Sequence, residues 1–360
     1  MLTVFIALTA LLTLFTLLPL VRLDAWPVRI LDFPRLQIAA LWLVLIVALI
    51  IFMGFDSDAA LALLAVACTC LAYQLWWILP YTRLYQCEVK SCKQPDQEHS
   101  ISIVTANVLT PNRGADVLLD QVRHYQPDIL VTLESDQWWQ DQLDVLSADY
   151  PYSLKCPLDN LYGMHLYSKL PLRDEKIDFL VEDDKPSIHA EVVLRSGDSI
   201  RCHFLHPAPP SPTENSESSE RDAELLVVAR NLEGVTDPVI VTGDLNDVAW
   251  SRTTKAFRRV SRLLDPRIGR GMFNTFHAEH RLLRWPLDHV FHSDHFTLIK
   301  MQRLKPFGSD HFALFTQLAY VPRRKNEQER PEASADEQEF ARDKVAEQNV
   351  NKREVPEPGE

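Results

Sequence analysis

The chain has 360 residues, a formal net charge of −12 and 24% charged residues. That length is read as several segments and not as one ordinary domain. The acidic balance speaks against a protein whose main task is coating nucleic acid, because such proteins are basic, but it is compatible with an enzyme that acts on it. The 6 cysteines show no Cys-x-x-Cys pair and no zinc spacing, so free thiols are expected. A Cys87–Cys92 disulfide stays open only for an oxidising compartment.

Three apolar runs open the chain: Met1–Val21, roughly Ile38 to Phe55, and roughly Ala59 to Pro80. Each approaches the ~20 residues that cross a hydrocarbon core as a helix. None has Lys, Arg, Asp or Glu in its interior, and Trp26, Trp76, Trp77, Tyr81 and Tyr85 sit near the ends, where amphipathic rings favour headgroups. The first run lacks a basic start and a small-residue cleavage site, so it reads as a span and not as a signal peptide. Residues 1–85 are therefore expected to be a membrane anchor with three transmembrane helices. Arg22, Arg29 and Arg35 lie in the first loop, and Arg83, Lys90 and Lys93 follow the third run. Counting positive charge puts the rest of the chain in the cytoplasm.

From about Ser100 to Leu318 the pattern is that of a folded domain. Ile101–Thr105 alternates as a strand before Asn107. Helical spacing over Val117–Tyr125 ends at Pro127, and Ile129–Leu133 reads as a buried strand. Further strands are predicted from His165, His189, Ile200, Val239, Asp288 and Phe312, with one long helix over Glu217–Leu232. Many strands with few interleaved helices predict an α+β sandwich of two sheets. The basic stretch Arg252, Lys255, Arg258, Arg259, Arg262, Arg267 and Arg270 reads either as a phosphate-binding face or as a solvated one. Residues 322–360 are charged and poor in hydrophobes, so a disordered tail is expected, with a transient helix near Glu337–Gln348.

Four strings each place a metal-binding or proton-handling side chain just after a hydrophobic run: Thr105-Ala106-Asn107-Val108, Leu133-Glu134-Ser135, Gly243-Asp244-Leu245-Asn246-Asp247 and Ser309-Asp310-His311. Phosphoester hydrolysis needs charge neutralised on the phosphoryl oxygens and an activated water. Hard oxygen ligands suit Mg²⁺, and Glu134, Asp310 and the Asn107 amide are the candidate set. Asp244 and Asn246 stand two apart and would share a face if the strand continued, one to deprotonate water and one to orient it. His311 needs a carboxylate to fix its tautomer, and Asp288 is the candidate. His206 ends another strand and is placed to meet a phosphate oxygen.

Taken in order, these strings resemble the endonuclease/exonuclease/phosphatase superfamily, the DNase I-like fold, over about Ser100 to Leu318. Leu287-Asp288-His289-Val290-Phe291, His206-Pro207-Ala208-Pro209 and Tyr167-Ser168-Lys169-Leu170-Pro171-Leu172 match further elements of the family. The resemblance implies a four-layered α/β sandwich, two packed mixed sheets flanked by helices. It implies Mg²⁺ or Mn²⁺ and in-line attack of water on a phosphoester. Asp244 would be the base, His311 with Asp288 would stabilise the transition state, and His206 would sit on the phosphate. One departure is that no carboxylate stands near Gly163 or Met164 to support the first histidine, which favours phosphatase or lipid branches over the DNase I type.

Three spans before such a domain resemble membrane-bound bacterial members, some of which hydrolyse polyprenyl pyrophosphates outside the membrane. That analogy implies a multi-pass protein of a bacterial inner membrane with its domain outside, opposite to the charge count. The expected function is a membrane-anchored, divalent-metal-dependent phosphoesterase. Its expected partners are the lipid bilayer and a phosphorylated substrate, a lipid phosphate or a nucleic acid, with no protein partner evident. A membrane-tethered nuclease and a catalytically inactive scaffold are the alternatives. The scaffold predicts loss of Glu134, Asp244, Asn246 or His311, and all four are present.

Overall fold

The computed structural model describes residues 1–321 and 328–359. It opens with α1 (Leu2–Leu17), a short α2 (Trp26–Arg29), α3 (Arg35–Met53) and α4 (Asp58–Ile78). The segments Leu2–Leu20, Arg35–Met53 and Asp58–Tyr81 are long and apolar enough to cross a membrane. The three helices pack through Phe5, Leu12, Trp42, Leu45, Leu49 and Ala67. Their outer faces leave Val44, Ile51 and Phe52 exposed, an arrangement suited to an apolar solvent. Some polar groups inside the bundle find partners there. Trp42 Nε1 donates to Thr16 Oγ1 at 2.9 Å, and Arg35 bonds Asp32 at 2.5 Å and Gln74 at 3.3 Å.

The remaining chain runs β1 (Ser100–Asn107), α5 (Ala115–Tyr125), β2 (Ile129–Leu133), α6 (Gln137–Leu143), β3 (Tyr152–Cys156), β4 (Met164–Ser168), β5 (Leu172–Asp178), β6 (Ser187–Val193) and β7 (Ser199–Leu205). It continues with α7 (Ser219–Asn231), β8 (Val239–Asp244), α8 (Arg252–Ser261), β9 (Asp288–His292), β10 (Phe296–Arg303), β11 (Leu314–Tyr320) and α9 (Ala335–Glu347). One sheet has the order β10-β11-β1-β2-β4-β3 and the other β5-β6-β7-β8-β9. Each contains one parallel pair, β1 with β2 and β7 with β8, so both sheets are mixed.

Ile103, Val131 and Leu166 of the first sheet pack against Ile188, Cys202 and Ile240 of the second. Leu118, Val122 and Trp139 on α5 and α6 cover the outside of the first sheet. Leu226, Phe257 and Phe340 on α7, α8 and α9 cover the second. The result is the four-layered α+β sandwich of a DNase I-like fold, preceded by three apolar helices. All 6 cysteines are unpaired thiols.

Several elements carry no readable signal in the sequence. β5 is an edge strand with four consecutive exposed residues, so it lacks the alternation of a half-buried strand. α8 is more than a solvated basic face, because it buries Ala256, Phe257 and Val260. The expectation of a disordered tail over 322–360 is corrected for residues 328–359. There α9 forms behind a capping box, Ser334 with Glu337, and packs Phe340, Ala341 and Val345 against α7 and α8. Few hydrophobes sufficed because they share one face and meet a surface already built. The rest of that expected tail, residues 322–327 and 360, lies outside the described residues.

Phe340 is 7% exposed and its ring lies 3.9 Å under the Arg252 guanidinium. Phe340→Ala is expected to cost about 3 kcal/mol. A thermal or denaturant melt of the detergent-solubilised full chain checks this, and an unchanged midpoint would mean that α9 is not docked in solution.

Candidate active site

Strand register brings the candidate residues together. Asn107 pairs with Leu133 across β1 and β2, so Glu134 emerges beside Asn107. Leu205 pairs with Gly243 across β7 and β8, so His206 and Asp244 leave the second sheet side by side. Asp244 and Asp288 are cross-strand partners on β8 and β9. Thr105 Oγ1 meets Thr242 Oγ1 at 2.9 Å and ties the two sheets together beneath these strand ends. Glycine is obligatory at 243, where a Cβ would stand 1.9 Å from the Leu205 carbonyl oxygen.

Asn107 Nδ2 donates to Glu134 Oε1 at 2.7 Å and to Asp244 Oδ2 at 3.0 Å. Its amide nitrogen thus bridges two acids, while its oxygen accepts from the Leu109 N–H at 3.1 Å. His311 lies between two more carboxyl contacts, Nδ1 to Asp288 Oδ2 at 2.8 Å and Nε2 to Asp244 Oδ2 at 3.4 Å. Asp310 is half-buried at the mouth and accepts from Ser309 Oγ at 3.3 Å, and its charge acts on both Glu134 and His311. Ser309 Oγ also donates to the Asn107 carbonyl at 2.8 Å, which fixes this loop on β1.

His206 is buried, neither ring nitrogen has a partner among the described residues, and its ring lies 5.2 Å from that of Tyr162. The gap noted at Gly163 is steric. A Cβ there would fall 2.0 Å from the Ser135 carbonyl oxygen, so no side chain fits. Tyr162 fills the neighbourhood and bonds Glu214 through its hydroxyl. Asn246 departs from the extended geometry assumed for it. β8 ends at Asp244, and Asn246 takes a left-handed φ of 50°. Its N–H caps Asp244 Oδ1 at 2.9 Å and its Nδ2 donates to the Pro207 carbonyl at 2.9 Å. Asn246 therefore ties the Asp244 turn to the His206 turn. Glu134 also has a positive φ, 57°, and two such residues at strand ends mark a locally strained site.

Sequence reading missed two supports. Arg221 on α7 donates to the Asn246 carbonyl at 2.9 Å and to Asp222 at 2.8 Å, and lies 3.5 Å from Asp247. Asp247 in turn accepts from Ser251 and Thr254, so α7 and α8 both anchor the Asp244 loop. Asp247 was visible in the motif, but nothing local signals Arg221. The second support is Phe276, whose ring centre lies 5.0 Å from that of His311.

The profile of the Endonuclease/Exonuclease/phosphatase family matches residues 104–311, more than half of the chain. The chain belongs to this family. Comparison with curated proteins found no match. The catalytic domain of human Nocturnin with a bound sulfate anion superposes with a TM-score of 0.52 at 19% identity, covering 63% of this chain and 96% of that one. D. rerio TDP2 complexed with a single-strand DNA product gives 0.50 at 17% identity, covering 61% and 98%. A family protein from Bacteroides thetaiotaomicron gives 0.51 at 16% identity, covering 63% and 99%. These likenesses show the fold. Members of the endonuclease/exonuclease/phosphatase family are phosphodiesterase and phosphatase hydrolases, generally dependent on a divalent metal, and this chain is a hydrolase of that kind.

The donor set fits a hard cation. Glu134 Oε2 is buried without a partner among the described residues, and Asp310 and Asp244 add negative charge to it. Asp244, Asp288 and His311 also gather closely enough to hold an ion, yet both nitrogens of His311 already face carboxylates. That second cluster is better described as an acid–imidazole–acid chain. Burial opposes charge on His311, but Asp288 and Asp244 outweigh it and push its pKa up to about 10. Burial pulls His206 down to about 4. At neutral pH the site thus holds one charged and one neutral imidazole.

Burial raises the Glu134 carboxyl from 4.5 to about 8. An acid raised on folding favours the native state below its unfolded pKa and loses that contribution as pH rises through the folded value. The metal-free chain should therefore lose thermal stability between pH 4.5 and about 8, and Glu134→Gln should flatten that loss. Melting series with and without Mg²⁺ check it. Equal pH slopes for the two proteins without metal would show that Glu134 is not the group being titrated.

Proposed function

We propose that the chain is a membrane-anchored phosphoesterase that uses Mg²⁺ or Mn²⁺ and acts on a lipid phosphate or pyrophosphate at the bilayer surface. The observation that carries this reading is a run of touching rings from the site to the apolar helices. His311 meets Phe276 at 5.0 Å, Phe276 stacks on Trp285 at 6.1 Å, and Trp285 meets Phe33 at 5.7 Å. Phe33 lies two residues before α3, the second candidate span. The loop that carries these rings leaves Leu282 84% and Leu283 49% exposed, and Gln37 of α3 donates to the Leu282 carbonyl at 2.7 Å. Two leucines presented beside a span at its interfacial end suit contact with lipid. The rim of the site would then open where a lipid headgroup lies.

In this reading Glu134 and Asp310 would hold the cation, which would neutralise phosphoryl charge and assist the leaving oxygen. Asn107 keeps Glu134 and Asp244 in register through its amide nitrogen. Asp244 takes the proton of the attacking water as its oxygen bonds to phosphorus and the bond to the leaving oxygen breaks. His311, held protonated by Asp288, donates to a phosphoryl oxygen. Neutral His206 offers a second N–H, and Asn246 locks the turn between them.

Offering a polyprenyl pyrophosphate, phospholipids, single-stranded DNA, RNA and plasmid to the full chain in lipid nanodiscs tests the substrate class. Lipid-phosphate release that is lost in Asp244→Asn supports the proposal, whereas cleavage of nucleic acid alone would replace it with a tethered nuclease. His311→Ala is expected to lower turnover by roughly two to four orders of magnitude. Asp288→Asn removes the nearer partner of a histidine held at about 10, so the alkaline limb of the pH–rate profile should move to lower pH. An unmoved limb would assign that ionisation to another group.

A further inference from the structure

The basic stretch around α8 has no part in the proposed chemistry. Much of it is internally neutralised. Arg267 is fully buried against Asp265 at 2.8 Å, Arg258 bonds Glu88 at 2.5 Å, and Arg262 bonds Glu332 at 3.0 Å. Lys255 differs. It forms no ion pair among the described residues, and its ammonium rests 3.9 Å from the ring centre of Trp77. Arg35 approaches the same ring to 4.7 Å. Burial, and then the neighbouring Arg259, push the Lys255 pKa down to about 8 against the opposing charge of Glu337.

Lys255 lines a cavity of about 720 Å³ between the end of α4 and α8. Among the described residues five lining side chains are basic and two are acidic, and none belongs to the candidate active site. Arg258 and Arg259 stand one turn further along the same helix face, with Arg259 half-exposed and bonded to Glu337 at 2.7 Å. Trp76 and Trp77, at the end of the candidate span Asp58–Tyr81, line the same cavity. Trp76 is 75% exposed, and Leu75 and Leu79 beside it are 44% and 38% exposed. A basic hollow therefore adjoins an apolar, aromatic-edged helix face. A ligand that satisfies both has an anionic head and an apolar body.

We propose that this cavity holds the headgroup phosphate of an anionic phospholipid, with Lys255 and Arg259 as its charge partners and Trp76 and Trp77 beside the start of the acyl chains. The inference rests on the membrane anchoring proposed above. A bound lipid would join α8 of the catalytic domain to α4 of the anchor. It would thereby steady the active-site rim against the bilayer without entering the reaction.

The full-length chain in mild detergent is titrated with phosphatidylglycerol or phosphatidylcholine and read by native mass spectrometry, alongside Lys255→Gln, Arg259→Gln and Lys255→Arg. The wild type should prefer phosphatidylglycerol, each glutamine variant should lose about fivefold of that preference, and Lys255→Arg should keep it. Equal binding of the two lipids, or a preference unchanged in both glutamine variants, would overturn the proposal. So would displacement by inorganic phosphate at matched concentration, which would indicate a site for free anions. Alkaline carbonate washing of membranes separates the two readings. A chain that washes off loses the anchor and this inference together, while a chain that stays in the membrane without lipid preference loses this inference alone.

Discussion

Four carboxylates converge where the open ends of two β-sheets meet: Glu134 after β2, Asp244 at the end of β8, Asp288 at the start of β9 and Asp310 before β11. Like charges in a poorly solvated place repel, and the surrounding structure answers that repulsion. Asn107 sets its amide nitrogen between two of the acids, and the His311 ring stands between Asp288 and Asp244. Burial first, and then the remaining charge of Asp310 and Asp244, raises the Glu134 carboxyl to about 8. A site in this condition suits a cation, and enzymes of this family are generally dependent on a divalent metal. Such an arrangement depends on sheet-to-sheet registration, because a one-residue slip of β8 against β7 would turn Asp244 away from Asn107.

The close approach of backbone has its own cost in side-chain freedom. Gly243 and Gly163 each stand where any Cβ would collide with a carbonyl oxygen, and Glu134 and Asn246 occupy left-handed backbone. Strain of this kind persists only where the surroundings over-determine the conformation. Here they do. Arg221 and Asp247 hold the Asn246 turn from α7 and α8, and Arg267 is locked by Asp265 and bonds His289, whose other nitrogen meets the Asp247 carbonyl at 2.8 Å. Both arginines are buried and both are paired, so they position the loop instead of facing solvent.

The apolar helices are joined to the sandwich by specific contacts. Trp250 Nε1 donates to the Asp32 carbonyl at 2.8 Å, and the Tyr81 hydroxyl donates to the Ala249 carbonyl at 2.5 Å. Both contacts fall on the segment that follows Asp247, so the ends of α3 and α4 brace the loop that carries the candidate base. Lys344 of α9 bonds Asp24 before α2 at 2.5 Å, which closes the connection from the far side. Proposed anchor and proposed catalytic centre thus share one supporting surface.

Periodicity and local motif made much of this legible in the sequence. Hydrophobic runs marked the three apolar helices and the central strands, because a fully buried or lipid-length segment has few ways to be written. The strand-end strings named Asn107, Glu134, Asp244, Asp288, Asp310 and His311, because strand ends are where a sheet can present polar groups. Elements stabilised by distant partners escaped. The edge strand β5 is exposed and lacks alternation, the segment of α9 reads as a transient helix whose docking on α7 and α8 is not legible, and α8 hides its apolar face among basic residues. The same holds within the site. Sequence supplied Asn246 and His206 as residue types, but only the fold put Asn246 in a turn bonded to Pro207 and left His206 buried and neutral. Local chemistry is written in neighbouring residues, whereas Arg221, Phe276 and the Trp77–Lys255 contact exist only because chain segments far apart in sequence are brought to one place.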